Sequence, residues 1–331
     1  MFNEFDYMEK FMLEWLKPQI SDGNIIREIV AKSGNMGSDC TFANIYLLRN
    51  KYDIEICRYR DFVIRRYNGK GARCGYTFPI GTGDVGKALE KITEDAALRG
   101  ESLRFAFVTE EQKQLLEELL PGQLCYESDL GDSDYVYLRS ELAALSGKAF
   151  HKKKNHYSRF MRTYPDCEYA EIGCGNWDDA RQVADIWYDE RCGNNNESGD
   201  GSRNDGEGNG QAGEADDESL AMEYQAICEA LDNFDELELR GGIIYVNNKP
   251  VAMTIASMTN SEVCNVHFEK VIGQYAAAGG YAAINKMFAE QLEGVTYINR
   301  EEDVGIEGLR KAKMSYHPKF MIKKYGAGYV I

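Results

Sequence analysis

Three segments between residues 242 and 270 constrain the fold more than any other part of the chain. Residues 242–246, 251–258 and 262–270 are rich in apolar and β-branched side chains, and each is long enough for one strand. Asn247, Asn248 and Lys249, between the first two, form a tight-turn sequence. Runs joined this closely pair as antiparallel neighbours, so the second half must be built on a sheet. Amphipathic patterns at 150–164, 177–191, 219–233 and 281–292 supply helices to cover its faces. A strand at 296–299, a helix at 305–315 and a strand at 320–325 complete this half.

The first half carries a similar order. An amphipathic helix at 5–20 precedes strand-like runs at 41–48, 53–58, 62–67 and 76–80. A helix at 84–99, a strand at 103–108, a helix at 110–119 and short strands at 124–127 and 135–138 follow. Each half therefore reads as antiparallel strands, helix, strand, helix, strand, the order of a Gcn5-related N-acetyltransferase domain. The expectation is an α/β (α+β) protein with two tandem acetyltransferase-like domains, residues 1–140 and 141–331. Each would be a mixed, mainly antiparallel sheet flanked by helices. The duplication rests on element order, since the residues themselves do not repeat.

One composition break interrupts the second half. Residues 193–218 have no aliphatic side chain larger than Ala and no aromatic, with eight acidic groups against Arg203 alone. Nothing there offsets the entropy of ordering, so a disordered acidic surface insertion is expected. It carries −7 of the formal net charge of −16, and the rest of the chain is much closer to neutral. The acidic total opposes a general nucleic-acid or membrane coat, yet it leaves room for a local basic groove. No apolar run reaches about 18 residues, so no transmembrane segment is expected. The first residues lack the basic start and apolar centre of a signal peptide. The nine cysteines include no C-x-x-C pair, which suits reduced thiols in a cytoplasmic protein and argues against a zinc site. His151, His156 and His317 lack ligand-like spacing, and no metal is expected.

Three places concentrate chemistry. Residues 142–165 hold Lys148, Lys152, Lys153, Lys154, Arg159 and Arg162 with no acid. On a helix, Phe150, Tyr157, Met161 and Tyr164 share one face, while Lys152, Asn155, Arg159 and Arg162 share another. Such a stripe suits an anionic ligand: a nucleotide, a tRNA acceptor end or a pyrophosphate. Residues 297–325 crowd Asn299, Arg300, Glu301 and Asp303 at the end of a buried strand, where α/β sheets open their ligand crevices. The helix beyond has acids first and bases last (Arg310, Lys311, Lys313), as the helix dipole favours by itself. In the strand at 263–270, alternation places His267 and Glu269 on one face, where either could take a proton from an attacking amine.

LSGKAFHKKKNHYSRF at 145–160, VHFEK at 266–270 with YAAIN at 281–285, and YINREEDVGIEGLRKAKMSYHP at 297–318 resemble the phosphatidylglycerol lysyltransferase C-terminal-domain family. The resemblance covers about residues 20–325 apart from the acidic insertion. It implies tandem acetyltransferase-like domains, as in the Fem-type peptidoglycan aminoacyltransferases. Lipid-modifying members carry an aminoacyl group from aminoacyl-tRNA to a lipid head group. By motif match it points to Lys153, Asn155, Arg159, His267, Glu269, Asn285, Asn299, Arg300, Glu301, Asp303, Arg310 and Lys313 as pocket residues. Those lipid-modifying proteins also carry a long multi-span membrane region, for which this chain has no counterpart.

The leading expectation is transfer of an aminoacyl group, with aminoacyl-tRNA as donor, to an amine or hydroxyl of a small molecule, lipid head group or peptide. An aminoacyl ester is already activated, so alignment of the nucleophile and stabilisation of the oxyanion suffice. Lys152, Lys153 and Arg159 would hold donor phosphates, Glu269 or His267 would take the proton, and Glu301 or Asp303 would grip the α-ammonium. A second reading is an acyl-CoA-dependent N-acyltransferase using Gln274 to Gly279 as its phosphate turn, with Ala277 standing where a glycine would allow closer approach. A third is a non-catalytic ligand-binding or regulatory protein on the same fold.

Overall fold

The computed structural model describes residues 13–69, 73–197 and 210–329. They form the expected mixed α/β architecture, with two mixed sheets flanked by helices. The first sheet runs in the order β1 (Ile54–Tyr59), β2 (Phe62–Tyr67), β3 (Gly75–Thr77), β5 (Arg104–Val108), β14 (Tyr325–Tyr329), β6 (Leu124–Ser128), and β4 (Ile80–Gly81) also pairs with β2. The second runs β8 (Glu168–Glu171), β9 (Leu239–Val246), β10 (Lys249–Met258), β11 (Val263–Val271), β12 (Tyr297–Asn299), β7 (Asp134–Leu138), β13 (Phe320–Ile322). Each sheet contains a single parallel step, β3 with β5 and β11 with β12.

Beyond that parallel step the two sheets exchange strands. Strand β14, from the C-terminal end, lies between β5 and β6 of the first sheet. Strand β7, from the first half, lies between β12 and β13 of the second. Neither sheet is made from one half of the sequence alone. The largest apolar core reflects this, because it lies between the sheets rather than within one. Ile54, Ile56, Val63 and Tyr67 of the first sheet join Ile243, Ile244, Met253, Ile255 and Phe268 of the second. Burying each such side chain contributes about 1.5–3 kcal/mol, and the exchanged strands add Tyr135 and Tyr137 of β7 and Ala327 of β14 to the cores of their adopted sheets. The other face of the second sheet packs Val266, Cys264 and Ile298 against Phe288 of helix Gly280–Gln291 and Leu292 just beyond it.

Some expected elements differ. Residues 13–19 are extended rather than helical: Leu16 bridges Ile56, and the Leu13 N–H and Trp15 Nε1–H both donate to the buried Asp95. Residues 1–12 lie outside the described residues. The apolar run at 41–48 is a helix, Phe42–Leu47, capped by Thr41 Oγ1 accepting from the Asn44 N–H. All six of its residues are buried, so neither a two-residue nor a 3.6-residue period shows in the sequence. The strand expected at 320–325 divides into β13 and β14, which enter different sheets. Of the acidic insertion at 193–218, residues 198–209 lie outside the described residues, and helices Trp177–Glu197 and Gly210–Asp232 flank them. Among the described residues no helix is long and apolar enough to cross a membrane.

Candidate functional site

The site is built where β11 and β12 separate. Their parallel pairing covers only Val263–Asn265 against Tyr297–Asn299. Strand β11 then continues to Val271, while the chain after Asn299 turns away, so a crevice opens at their C-terminal ends. A bulge at this place decides which side chains meet. Ala256 pairs with Val266 and Ile255 with Phe268, leaving His267 as the extra residue. Because Thr254 opposes Glu269 and Ala256 opposes Val266, Glu269 shares the face of Val266. His267 instead bonds to Ser257 and Asn265, a cross-strand pair on the opposite face. The simple alternation that placed His267 and Glu269 together is therefore broken, and the crevice has two polar sides.

On the side of helices His151–Thr163 and Gly280–Gln291, the Glu269 carboxylate accepts from Arg300 Nη2 at 2.9 Å and from Asn285 Nδ2 at 3.3 Å. Arg300 lies over the ring of Tyr316, its Cζ 4.9 Å from the centroid, and Lys153 Nζ sits 3.9 Å from the centroid of the same ring. Burial first, and then Arg300, lower the Lys153 ammonium against the opposing pull of Glu269, to about 8. Arg300 Nη1 and Asn285 Oδ1 are buried and have no protein partner among the described residues. A donor and an acceptor thus stand open on either side of one carboxylate. An unmade buried hydrogen bond costs about 1–3 kcal/mol, and a ligand carrying both functions would recover it.

On the other face, His267 Nε2 lies 2.8 Å from Ser257 Oγ, and Nδ1 lies 3.2 Å from Glu301 Oε1 and 3.0 Å from Asn265 Nδ2. Glu301 Oε1 also accepts from Asn44 Nδ2 at 2.8 Å and Asn265 Nδ2 at 2.7 Å. Asn44 belongs to the first half, so this cluster spans the junction. Glu301 has a φ of 58°, a left-handed conformation unusual for a non-glycine residue. Lys313 holds it there, with Nζ donating to the carbonyls of Arg300, Glu301 and Glu302. Burial, with the nearby Arg300, lowers Lys313 to about 8.

Other expected pocket residues are spent inside the protein. Asp303 is fully buried and accepts from Arg310 Nε and Nη2 at 2.7 and 2.9 Å, from the Tyr135 hydroxyl at 2.5 Å and from the Gly305 N–H at 2.9 Å. It has no lone pair left for a ligand ammonium. Asn299 Nδ2 donates to Asp134 and to the Met36 carbonyl. Asp134 is the centre of a buried charge cluster missing from the sequence reading. It accepts from the Ser38 N–H and Oγ, and from Lys324 Nζ at 2.6 Å, while Lys324 and Arg65 both pair with Asp39. Burial alone would raise Asp39, but Lys324 and Arg65 outweigh it and hold the carboxyl at about 2. The available signal was polar residues flanking apolar strand runs: Asp134 starts β7 and Lys324 precedes β14.

The basic helix separates its faces as the spacing requires. Tyr157, Met161 and Tyr164 pack on the core, while Lys152, Asn155, Arg159 and Arg162 are exposed. Lys153 turns inward to Tyr316. Arg159 donates to the carbonyls of Ala277 and Ala278, tying off the short helix Gly273–Ala278. The segment from Gln274 to Gly279 is thus mainly helical, its amides directed along the helix. Gly279 (φ 110°) lies so close to helix His151–Thr163 that a Cβ would come within 2.3 Å of the His156 carbonyl oxygen. Helix packing accounts for that glycine. Among the described residues, no group of three or more His, Cys, Asp or Glu could hold a metal ion.

Comparison with known proteins agrees with this architecture. The family model "Phosphatidylglycerol lysyltransferase, C-terminal" matches residues 30–328. A conserved protein of unknown function from Bacteroides thetaiotaomicron is similar at 35% identity and a TM-score of 0.82, over 96% of this chain and 100% of that one. The "C-terminal Domain (DUF2156) of Putative Lysylphosphatidylglycerol Synthetase" from Agrobacterium fabrum shares the fold at 14% identity and a TM-score of 0.62, over 93% of this chain and 91% of that one. L-PGS from Bacillus licheniformis does so at 14% and 0.60, with the same coverage. The curated proteins yield no match.

Proposed function

Since the chain belongs to the phosphatidylglycerol lysyltransferase C-terminal family, we propose that it transfers an aminoacyl group from aminoacyl-tRNA to an amine or hydroxyl acceptor. Family and fold support acyl transfer in general; the aminoacyl donor is the finer reading. The observation that carries it is the pair of open polar atoms, Arg300 Nη1 and Asn285 Oδ1, on either side of Glu269. In this reading Arg300 Nη1 donates to the oxyanion formed when the acceptor adds to the ester carbonyl. Glu269 takes the proton of the attacking nucleophile and returns it to the terminal ribose oxygen of the tRNA as the ester C–O bond breaks, and Asn285 Oδ1 receives an N–H of the donor's α-amino group. Lys153 and the exposed Lys152 meet the acceptor-stem phosphates. Arg159 and Asn155 lie farther along the same helix, with Arg159 anchoring its neighbour. His267, Glu301 and Asp303 take no direct part, because the first two point to the other face and the third is saturated.

The test is aminoacyl transfer from charged tRNA to hydroxylamine as a generic acceptor. Arg300→Lys keeps the charge but loses the planar fork, and turnover should fall about 100-fold with the melting temperature retained. Binding of charged tRNA should weaken steeply with salt, by roughly 0.7–0.9 log units per phosphate contact for each tenfold rise. Unchanged turnover in Arg300→Lys removes the assigned chemistry. Stabilisation by acetyl-CoA without any by charged tRNA replaces the donor.

A further inference from the structure

We propose that Ser257, His267 and Glu301 form a second, hydrolytic centre that cleaves small acyl esters on the face of β11 opposite Glu269. The inference is independent of the transfer reading, since it uses none of that site's residues. Three observations carry it. First, Ser257 Oγ, His267 Nε2, His267 Nδ1 and Glu301 Oε1 stand in line at 2.8 and 3.2 Å, the order of nucleophile, base and orienting carboxylate. His267 shares the face of Asn265 and Ser257, and the bulge turns Glu269 to the other side, so the imidazole meets Glu301 and not Glu269. Second, Ser257 lines a cavity of about 620 Å³ at the ends of β9 and β10, within the usual size of small-molecule sites. Phe42 and Leu237 supply apolar wall, and Arg27 and Arg240 are balanced by Glu238 and Glu293, with Arg27 paired to Glu238 at 2.7 Å. Third, Thr259 lines the same cavity, is 4% exposed, and its Oγ1 has no partner among the described residues. Asn265, directly opposite Ser257 in the ladder, likewise leaves Oδ1 unpaired.

The reaction balances with water as the co-reactant. Ser257 Oγ adds to the ester carbonyl carbon while its proton passes to His267 Nε2. The C–O bond to the alcohol breaks, and the alcohol leaves with that proton, giving an acyl-serine. A water molecule then loses a proton to His267 and adds to the acyl carbon, releasing the carboxylic acid and returning the proton to Ser257. Glu301, with its fixed left-handed backbone, orients the imidazole and stabilises its charged form. The Thr259 hydroxyl is the free donor for the oxyanion, and the mixed apolar and charged wall suits small esters of no net charge.

The full chain would be treated with a fluorophosphonate probe, the labelled residue mapped by mass spectrometry, and p-nitrophenyl acetate hydrolysis measured in parallel. Labelling of Ser257 in the unmodified protein is the expected result, with both signals lost in Ser257→Ala and hydrolysis slowed about 100-fold in Glu301→Gln. Glu269→Gln should leave labelling and hydrolysis intact, which separates this centre from the transfer site. Absence of label on Ser257, or equal hydrolysis in Ser257→Ala, overturns the proposal. So does loss of labelling in a folded Glu269→Gln protein. Site mapping needs no variant, so the test stands even if a substitution impairs folding.

Discussion

Replacing Asp134 by Asn should unlatch both exchanged strands at once. Asp134 begins β7, Lys324 directly precedes β14, and their 2.6 Å pair lies where the two sheets trade strands. Both side chains are essentially excluded from water, at 0% and 2% exposure. The substitution leaves Lys324 with Asp39 at 3.3 Å, a carboxylate already shared with Arg65. Breaking a buried pair from one side costs about 3–5 kcal/mol, and the remaining Asp39 contact places this case near the lower end, about 3 kcal/mol. At about 2.1 cal/mol/K of unfolding entropy per residue, a chain of 331 residues shifts by roughly 1.4 °C per kcal/mol, so the melting temperature should fall by about 4 °C. Urea unfolding followed by circular dichroism would give the free energy, and amide hydrogen exchange would locate the loss. Protection should fall together in β7 and β14. The double variant Asp134→Asn/Lys324→Met removes both charges while keeping a side-chain oxygen for the Ser38 donors, and should recover most of the loss. A cost below about 1 kcal/mol for Asp134→Asn would refute the latch, given the size of buried-pair effects. Deprotection of only one of the two strands would refute it equally.

Four more outcomes follow from the structure. Gly279→Ala meets the His156 carbonyl at 2.3 Å in a left-handed backbone, so it should destabilise by about 2 kcal/mol or more, measured by thermal melts; an unchanged melt would contradict the close helix contact. Thr109→Ala removes the cap of helix Glu110–Leu119, where Thr109 and Gln112 bond reciprocally, and should cost about 0.5–2 kcal/mol in urea unfolding. Lys153 at about 8 should be acylated by an N-hydroxysuccinimide ester at pH 8 well before Lys152 or Lys154, read by peptide mass spectrometry. Because its folded-state value lies below the unfolded one, the unfolded chain binds that proton more tightly, and stability relative to Lys153→Met should rise as pH climbs from about 8 towards 10; a flat difference would sink the assignment.

Legibility followed local physics. Helix Glu110–Leu119 and the meander β9–β10–β11 could be read because half-buried elements leave a periodic pattern and turns leave their own residues. Helix Phe42–Leu47 could not, since a segment buried on every side has no period to show. Asn299, Arg300, Glu301 and Asp303 were legible as a polar cluster at a strand end, but their separate duties were not. Asp303 is closed by Arg310, Glu269 is bordered by open atoms, and these differences come from partners distant in sequence.

The sequence by itself determined most element types, the mixed α/β class and the family motifs, because backbone propensity and hydrophobic period are local properties. Only the tertiary structure decided three matters: which strand completes which sheet, which side of β11 each polar group faces, and which charges are spent on folding. Strand exchange depends on Lys324 meeting Asp134 across 190 positions, and no short-range pattern encodes such a meeting. The single extra residue at His267 inverts the alternation beyond it, so one bulge sets Glu269 and His267 on opposite faces. The −16 net charge belonged to the sequence; the fold decided that its working part is a few buried carboxylates, each defined by its neighbours.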